Sequence, residues 1–281
     1  MMKYLMFSLF FISSLLLYGQ EINMELTFDW PNNTQDDDAF IEEFIASTPN
    51  DFQQYKLNER YTPTLSDLFE ALHVIDLNND GLKDVIFDGL SGGEPRLISI
   101  YINKGGYFDN VFDEYQQISN MEFNQGILSR LQIKDWDCCA GINETYRLYD
   151  VAYVNNKFIF KPIEAYRYLK TTDLPSKYWS ETKTVRILND NYNMRLSPKI
   201  DNTTEYYFEL KPQLGNIIAQ LPKRSIAVAL AESIDETGRV WYFVAVPPFI
   251  RIRNSRILDF DDEIKSYKCG WISSRYVENI D

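Results

Sequence analysis

Apolar and polar residues alternate one by one near the start of the chain. Between Ile22 and Trp30 every second residue is apolar, and the residues between them are polar. A period of two predicts a strand with one buried face. Pro31 and the two asparagines after it predict the end of this strand.

The pattern then changes to one that is typical of a helix. Three consecutive aspartates, Asp36–Asp38, precede apolar residues at helical spacing, namely Phe40, Ile41, Phe44 and Ile45. Acidic side chains stabilise a helix N-terminus because they lie at the positive end of its dipole. We therefore interpret the aspartates as a helix start rather than as a metal site.

From Leu72 onward the pattern predicts strand after strand. The predicted strands are Ala71–Ile75, Asp84–Phe87, Leu97–Ile102, Ile127–Ile133, Tyr146–Val154 and Phe158–Ile163. Asn155 and Asn156 separate the last two strands, and such a pair is typical of a tight hairpin turn. The pattern thus predicts a β-rich domain with one helix.

Leu174-Pro175-Ser176-Lys177 has the composition of a linker, and a second β-rich block runs from Thr184 to the end. We predict a mainly β protein with two domains. An α+β or β-rich domain spans residues 21–170, and an all-β domain spans residues 178–281. The length of 281 residues agrees with this division, since domains average roughly 150 residues.

The first 19 residues resemble an export signal. Lys3 precedes thirteen residues, 5–17, that are all apolar or serine. This run is shorter than the ~20 residues of a bilayer span. We predict a signal peptide over residues 1–19 and a secreted or periplasmic protein, with an uncleaved anchor as the alternative. No later stretch is long and apolar enough to predict a membrane span.

Charge narrows the classes of partner. The chain has 28 Lys and Arg against 41 Asp and Glu, which gives a net charge of −13. This balance argues against general binding of nucleic acid or anionic lipid.

The chain has a single histidine, His73, which excludes catalytic mechanisms that need two histidines. The order of His73 before the cysteines is the reverse of that in cysteine peptidases of the cell wall.

An acidic loop follows the first strand of the series. Oxygen-bearing side chains occupy its positions 1, 3, 5 and 9, and Gly81 at position 6 permits a sharp turn. Phe87 at position 12 excludes an EF-hand, which needs a glutamate there. The predicted Ca²⁺ ligands are Asp76, Asn78, Asp80, Asp84 and the main-chain carbonyl of Leu82.

Residues 71–108 resemble one FG-GAP/VCBS-type repeat, in which a D-x-[DN]-x-D-G-x-x-D loop lies between strands. The resemblance extends to Asn103-Lys104-Gly105-Gly106-Tyr107-Phe108, which matches the N-x-G-G-x-F end of such a repeat. It implies Ca²⁺ in the loop, which we expect to be structural. The chain has a single repeat of this kind, so the resemblance does not extend to a whole propeller.

The C-terminal block resembles a bacterial SH3-like (SH3b) domain. The landmarks are the segments Tyr192–Pro198, Gly215–Lys223, Val240–Val246 and Gly270–Val277. Gly215 is expected to permit a turn, and Gly270 to leave room for an indole. The resemblance implies an SH3-like β-barrel that binds cell-wall peptides. Candidate contact aromatics are Trp241, Tyr242 and Trp271, for which packing in the core is the alternative.

Cysteines and acids near residue 138 leave several interpretations open. Cys138, Cys139 and Cys269 are an odd number, so at least one thiol has no partner within the chain. Three interpretations remain possible. One of the adjacent cysteines, Cys138 or Cys139, forms a disulfide with Cys269, or the two adjacent cysteines bond to each other, or all three are inert thiols. Three acids lie nearby, Asp135, Asp137 and Glu144. They form either an acidic cluster or a solvated surface, and metal binding by Asp135 and Asp137 is a further alternative.

These features together predict an exported, non-catalytic binding protein of the cell envelope. Its expected partner is cell-wall peptide, peptidoglycan or an envelope protein. The alternative is a peptidoglycan- or polysaccharide-active hydrolase that uses carboxylates of the first domain. An inhibitor or subunit of another envelope protein is a third hypothesis.

Overall fold

The computed structural model describes residues 29–31, 37–48, 51–52, 55, 64–91, 96–135, 141–208, 211–258 and 264–281. The predicted signal peptide, and the predicted strand before Asp29, lie outside these residues. The protein is mainly β, as the hydrophobic pattern predicts. Within the described ranges its sheets are all open.

The chain divides into two compact units. Of the described residues, the N-terminal unit comprises those in 29–167 and 264–266, and the C-terminal unit comprises those in 168–258 and 267–281. The domain limits 21–170 and 178–281 stay predictions.

Two α-helices lie in the described part of the N-terminal unit, α1 (Asp38–Ser47) and α2 (Leu65–Ala71). Asp37 caps α1 by accepting a hydrogen bond from the Phe40 amide at 3.0 Å, in agreement with the predicted helix start. The prediction of one helix was wrong because it omitted α2. Its start is a capping box, in which Thr64 and Asp67 bond each other's backbone amides.

The strands of the N-terminal unit form two antiparallel sheets. The first contains β1 (Leu72–Ile75), β2 (Asp84–Leu90), β3 (Arg96–Asn103) and β4 (Phe108–Glu114) in that order. The second contains β5 (Gln117–Asn124), β6 (Ile127–Lys134), β7 (Asn143–Val154) and β8 (Lys157–Leu169). The predicted hairpin at Asn155 and Asn156 is confirmed, with positive φ at both residues.

Both faces of the first sheet are buried. Val85 and Phe87 of β2 pack with Phe44 of α1, whereas Ile86 packs with β5–β8 residues such as Leu131. Strands that are buried on both faces have continuous apolar sequences. This explains the run Val-Ile-Phe in β2, which shows no alternation.

Nine strands lie in the described part of the C-terminal unit. They are β9 (Lys183–Ile187), β10 (Tyr192–Arg195), β11 (Glu205–Phe208), β12 (Lys211–Leu214), β13 (Ile217–Leu221), β14 (Ile226–Ile234), β15 (Val240–Val246), β16 (Tyr267–Ser273) and β17 (Val277–Asn279). A 3₁₀ turn, Ser274–Tyr276, precedes β17. The sheet order is β17-β9-β14-β15-β16, β10 pairs with both β13 and β16, and β11 and β12 form a separate hairpin.

Gly215 lies at a turn, as the sequence predicts, whereas the neighbours of Gly270 are aliphatic side chains rather than the expected indole. Gly215 has a φ of +83°, and a Cβ there would lie 2.8 Å from the Asp201 carbonyl oxygen. A Cβ on Gly270 would lie 2.8 Å from Met194 Cγ and 2.9 Å from Ile218 Cδ1. A side chain at position 270 of β16 would therefore require Met194 or Ile218 to move.

No helix in the described part of the chain is long and apolar enough to cross a membrane.

Candidate metal centre

The acidic loop connects β1 to β2, which pair directly on either side of it through Ile75 and Asp84. Two of its residues, Asn79 and Gly81, have positive φ of 57° and 83°. Asn and Gly adopt this conformation more readily than other residues. The loop therefore curls tightly between two strands, as the spacing of its oxygens predicts.

Three side chains of the loop turn inward onto its own backbone. Asp76 accepts hydrogen bonds from the amides of Asp80, at 3.3 Å, and Gly81, at 2.8 Å. Asn78 Oδ1 accepts from the Asp80 amide at 3.1 Å, and Asp80 Oδ1 accepts from the Leu82 amide at 2.9 Å. The structure thus brings Asp76, Asn78 and Asp80 together on the inner side of one turn.

Asp84 is fully buried at the end of the loop. Its two carboxylate oxygens accept the amides of Leu77, at 2.9 Å, and Asn103, at 2.8 Å. Burial raises the pKa of this carboxyl to about 7, the charges of Asp80 and Asp76 add to the rise, and the two amides oppose it. A bound cation would stabilise the charged form of this buried carboxylate, which lies near two other negative charges.

The loop is also held by contacts that the sequence pattern does not reveal. Leu77 is fully buried in the core, and its carbonyl accepts the Leu128 amide at 2.8 Å. Asn78 Nδ2 donates to the Tyr153 hydroxyl at 3.1 Å, and Asn79 Nδ2 donates to the Gln125 carbonyl at 3.3 Å. These partners come from β6, β7 and the β5–β6 turn, so distant segments fix the loop conformation.

The donor set matches the chemistry of a hard cation. Three carboxylates, one amide oxygen and one main-chain carbonyl are the ligand types that Ca²⁺ prefers. Among the described residues, no three or more His, Cys, Asp or Glu side chains converge closely enough to form a ready-made metal site. Binding of Ca²⁺ through Asp76, Asn78, Asp80, Leu82 and Asp84 stays a prediction.

The candidate contact aromatics of the C-terminal unit are mainly core residues. Trp241 and Trp271 are 1% and 2% exposed, so the packing interpretation is confirmed for both. Their indole N–H groups donate to Asp235 Oδ2 at 2.9 Å and to the Asp173 carbonyl at 2.5 Å. Tyr242 is half-buried. Little of either tryptophan side chain is therefore accessible for contact with a ligand.

The cysteines and the acids near them are only partly described. Asp137, Cys138 and Cys139 lie outside the described residues, and Cys269 is buried in β16. Glu144 forms an ion pair with Lys134, with Nζ and Oε2 3.0 Å apart. The Asp135 amide donates to the Thr145 carbonyl at 2.7 Å. The disulfide interpretations and the acidic cluster stay predictions.

Comparison with known proteins gave no match: no family model, no curated protein and no solved structure is similar to this chain.

Proposed function

We propose that this is an exported, non-catalytic binding protein of the cell envelope. In this proposal the loop Asp76–Asp84 binds one structural Ca²⁺, and an SH3b-like C-terminal unit binds cell-wall peptide or an envelope protein. The single observation that carries the proposal is the inward arrangement of Asp76, Asn78 and Asp80 beside the buried carboxylate of Asp84. An ion there orders a loop between two core strands and takes no part in chemistry.

The strand order of the C-terminal unit supports the SH3-like part of the proposal. Short antiparallel strands follow each other, and a 3₁₀ turn leads into the last strand, which returns to pair with β9 through Val277 and Ile187. In the sequence, the separate β11–β12 hairpin lies between β10 and β13. This arrangement agrees with a small SH3-like barrel that carries a long loop between its early strands.

The exposed face of that hairpin is our candidate contact surface. Tyr207 pairs with Pro212 and Glu205 pairs with Leu214, so all four residues lie on one face. Tyr207 and Leu214 are 64% and 68% exposed, whereas Phe208, on the other face, is 4% exposed. An aromatic and an aliphatic side chain beside a carboxylate suit a peptide with both apolar and cationic groups.

Sedimentation with purified cell-wall sacculi tests the binding role. We expect the protein to sediment with sacculi, and the double variant Tyr207→Ala, Leu214→Ala to remain in solution. Ile234→Ala is the matched control, because Ile234 is 66% exposed but lies at the end of β14. If the wild type does not sediment, wall binding is wrong and an envelope protein becomes the expected partner. A cleared band in a peptidoglycan zymogram would contradict the non-catalytic role.

Thermal unfolding with and without Ca²⁺ tests the loop. With Ca²⁺ at about 2 mM and a Kd of about 0.1 mM, linkage predicts a stabilisation of about 1.8 kcal/mol. For a chain of 281 residues that corresponds to a rise in Tm of roughly 3 °C. Asp80→Ala should abolish the rise, whereas Asp109→Ala, which removes a carboxylate of β4 outside the loop, should retain it. Equal melting in Ca²⁺ and EDTA would contradict a calcium site.

A further inference from the structure

A second site lies in the N-terminal unit, separate from the calcium loop. It is a cavity of about 370 Å³, open to solvent, on the face of the first sheet that carries α1. Leu97, Ser99 and Tyr101 alternate along β3 and so point to this same face. On β4, Asn110 pairs with Tyr101 and Asp113 pairs with Ser99. Side chains of the paired strands β3 and β4 therefore line one side of the cavity.

The lining is acidic. It contains three carboxylates, Asp51, Asp113 and Glu114, and its described residues include no lysine or arginine. The Tyr101 hydroxyl donates to Asp51 Oδ2 at 3.2 Å. Burial raises the pKa of Tyr101, and the charges of Asp51 and Asp113 raise it further. Both carboxylates therefore act on the same buried hydroxyl.

Most of this negative charge is not neutralised by the protein. Glu114 accepts from the Tyr149 hydroxyl at 3.3 Å and lies 3.9 Å from Arg147 Nη1. Asp113 accepts two hydrogen bonds from the neutral Asn110 amide, at 3.0 and 2.8 Å. Across the described chain, neither Asp51 nor Asp113 has a cationic partner. The cavity thus holds two uncompensated carboxylates in a chain whose net charge is already −13.

The remaining walls are apolar and aromatic. Phe52 is buried against Phe87, with ring centroids 4.9 Å apart, and Tyr115 stands at the rim with 65% of its surface exposed. Aromatic faces attract ammonium groups, and carboxylates accept charge-assisted hydrogen bonds from them. The volume accommodates several non-hydrogen atoms beyond a single ion.

We propose that this cavity binds a small organic cation, one with primary ammonium groups on an aliphatic stem. Asp51 and Asp113 accept the ammonium hydrogen bonds, and Phe52, Leu97 and Tyr115 contact the stem. This site is independent of the proposed calcium loop and of wall binding.

Calorimetric titration of the purified protein with 1,5-diaminopentane tests the proposal. We expect saturable binding that 1,5-pentanediol, which has the same length and no charge, does not reproduce. Asp113→Asn should weaken binding about tenfold or more, since it removes one charge-assisted contact. Asp109→Asn is the matched control, because it makes the same change on the same strand opposite Ile102, outside the cavity lining.

Several results would overturn the proposal. They are an absence of binding up to about 10 mM diamine, equal binding of the diol, and equal weakening by Asp109→Asn. Loss of binding in Asp80→Asn would place the diamine at the calcium loop instead. Should Asp113→Asn fail to fold, Tyr115→Ala replaces it, because Tyr115 is exposed at the rim. That variant should weaken binding severalfold, and unchanged affinity there would contradict the site.

Discussion

Protonation of His73 is predicted to destabilise the protein. Its ring stacks on Trp30, with centroids 3.4 Å apart, inside the N-terminal unit. Burial and, to a smaller extent, the positive charge of Arg96 lower the pKa of His73 to about 4. In the unfolded chain the ordinary value of 6.5 applies. His73 is therefore neutral in the folded state at pH values where the unfolded chain binds a proton.

The sign and size of the effect follow from this difference. Between about pH 6.5 and about pH 4 the unfolded state binds more protons, so the free energy of unfolding falls as the pH falls. A difference of about 2.5 between the two pKa values corresponds to at most about 3.4 kcal/mol. Because solvent reaches part of the ring, we expect about 1–2 kcal/mol. Above about pH 7 the contribution vanishes, since both states are neutral there.

Urea unfolding of the wild type and of His73→Phe measures this contribution. Phenylalanine keeps an aromatic ring beside Trp30 and cannot bind a proton. Burial raises the pKa of Asp88 and Glu164, which therefore titrate with the opposite sign, but they contribute equally to both chains. The variant should gain about 1–2 kcal/mol relative to wild type between about pH 7.5 and about pH 4.5. A difference that stays constant with pH would refute the reasoning.

Other predictions concern packing, polar networks and turns. Phe44→Ala, which removes a fully buried ring, should cost about 3–5 kcal/mol of unfolding free energy in urea. Asn216→Ala should lower the free energy of unfolding by about 3 kcal/mol, because Asn216 Oδ1 accepts a hydrogen bond from the buried Arg195 at 2.6 Å. Adding Arg195→Met should recover part of this loss, because it removes the unpaired charge. Asn156→Val should lower the free energy of unfolding, measured by thermal unfolding, by about 1–2 kcal/mol, because φ is +61° at this position. Asn156→Gly should lower it by less than about 0.5 kcal/mol.

The sequence predicts those elements whose signals are local. Alternation and apolar runs locate most strands within a few residues, and the asparagine pair at 155 and 156 predicts a hairpin that the structure confirms. Strands β4 and β5 were not predicted. Both faces of β4 carry mixtures of acidic and aromatic residues, so its burial shows no period of two. Helix α2 is short, and its capping box was the signal that could have revealed it.

Of the two candidate sites, the acidic loop is predictable from the sequence and the cavity is not. The acidic loop is contiguous, so spacing alone predicts which oxygens curl inward. The cavity combines Asp51 with Asp113 and Tyr115, which are more than sixty residues away in the chain. Only the pairing of β3 with β4 and the packing of α1 bring them together. Such long-range assembly leaves no pattern in a single sequence.

The tight packing of Gly270 in β16 against side chains of β10 and β13 also limits how this chain can change over evolutionary time. Positions 194, 218 and 270 share one volume, because a methyl group at Gly270 would overlap both Met194 and Ile218. A larger residue at 270 is tolerable only in a chain that has already shortened one of the other two side chains. In a set of related sequences these three columns should therefore covary, with glycine at 270 wherever the other two positions hold long side chains.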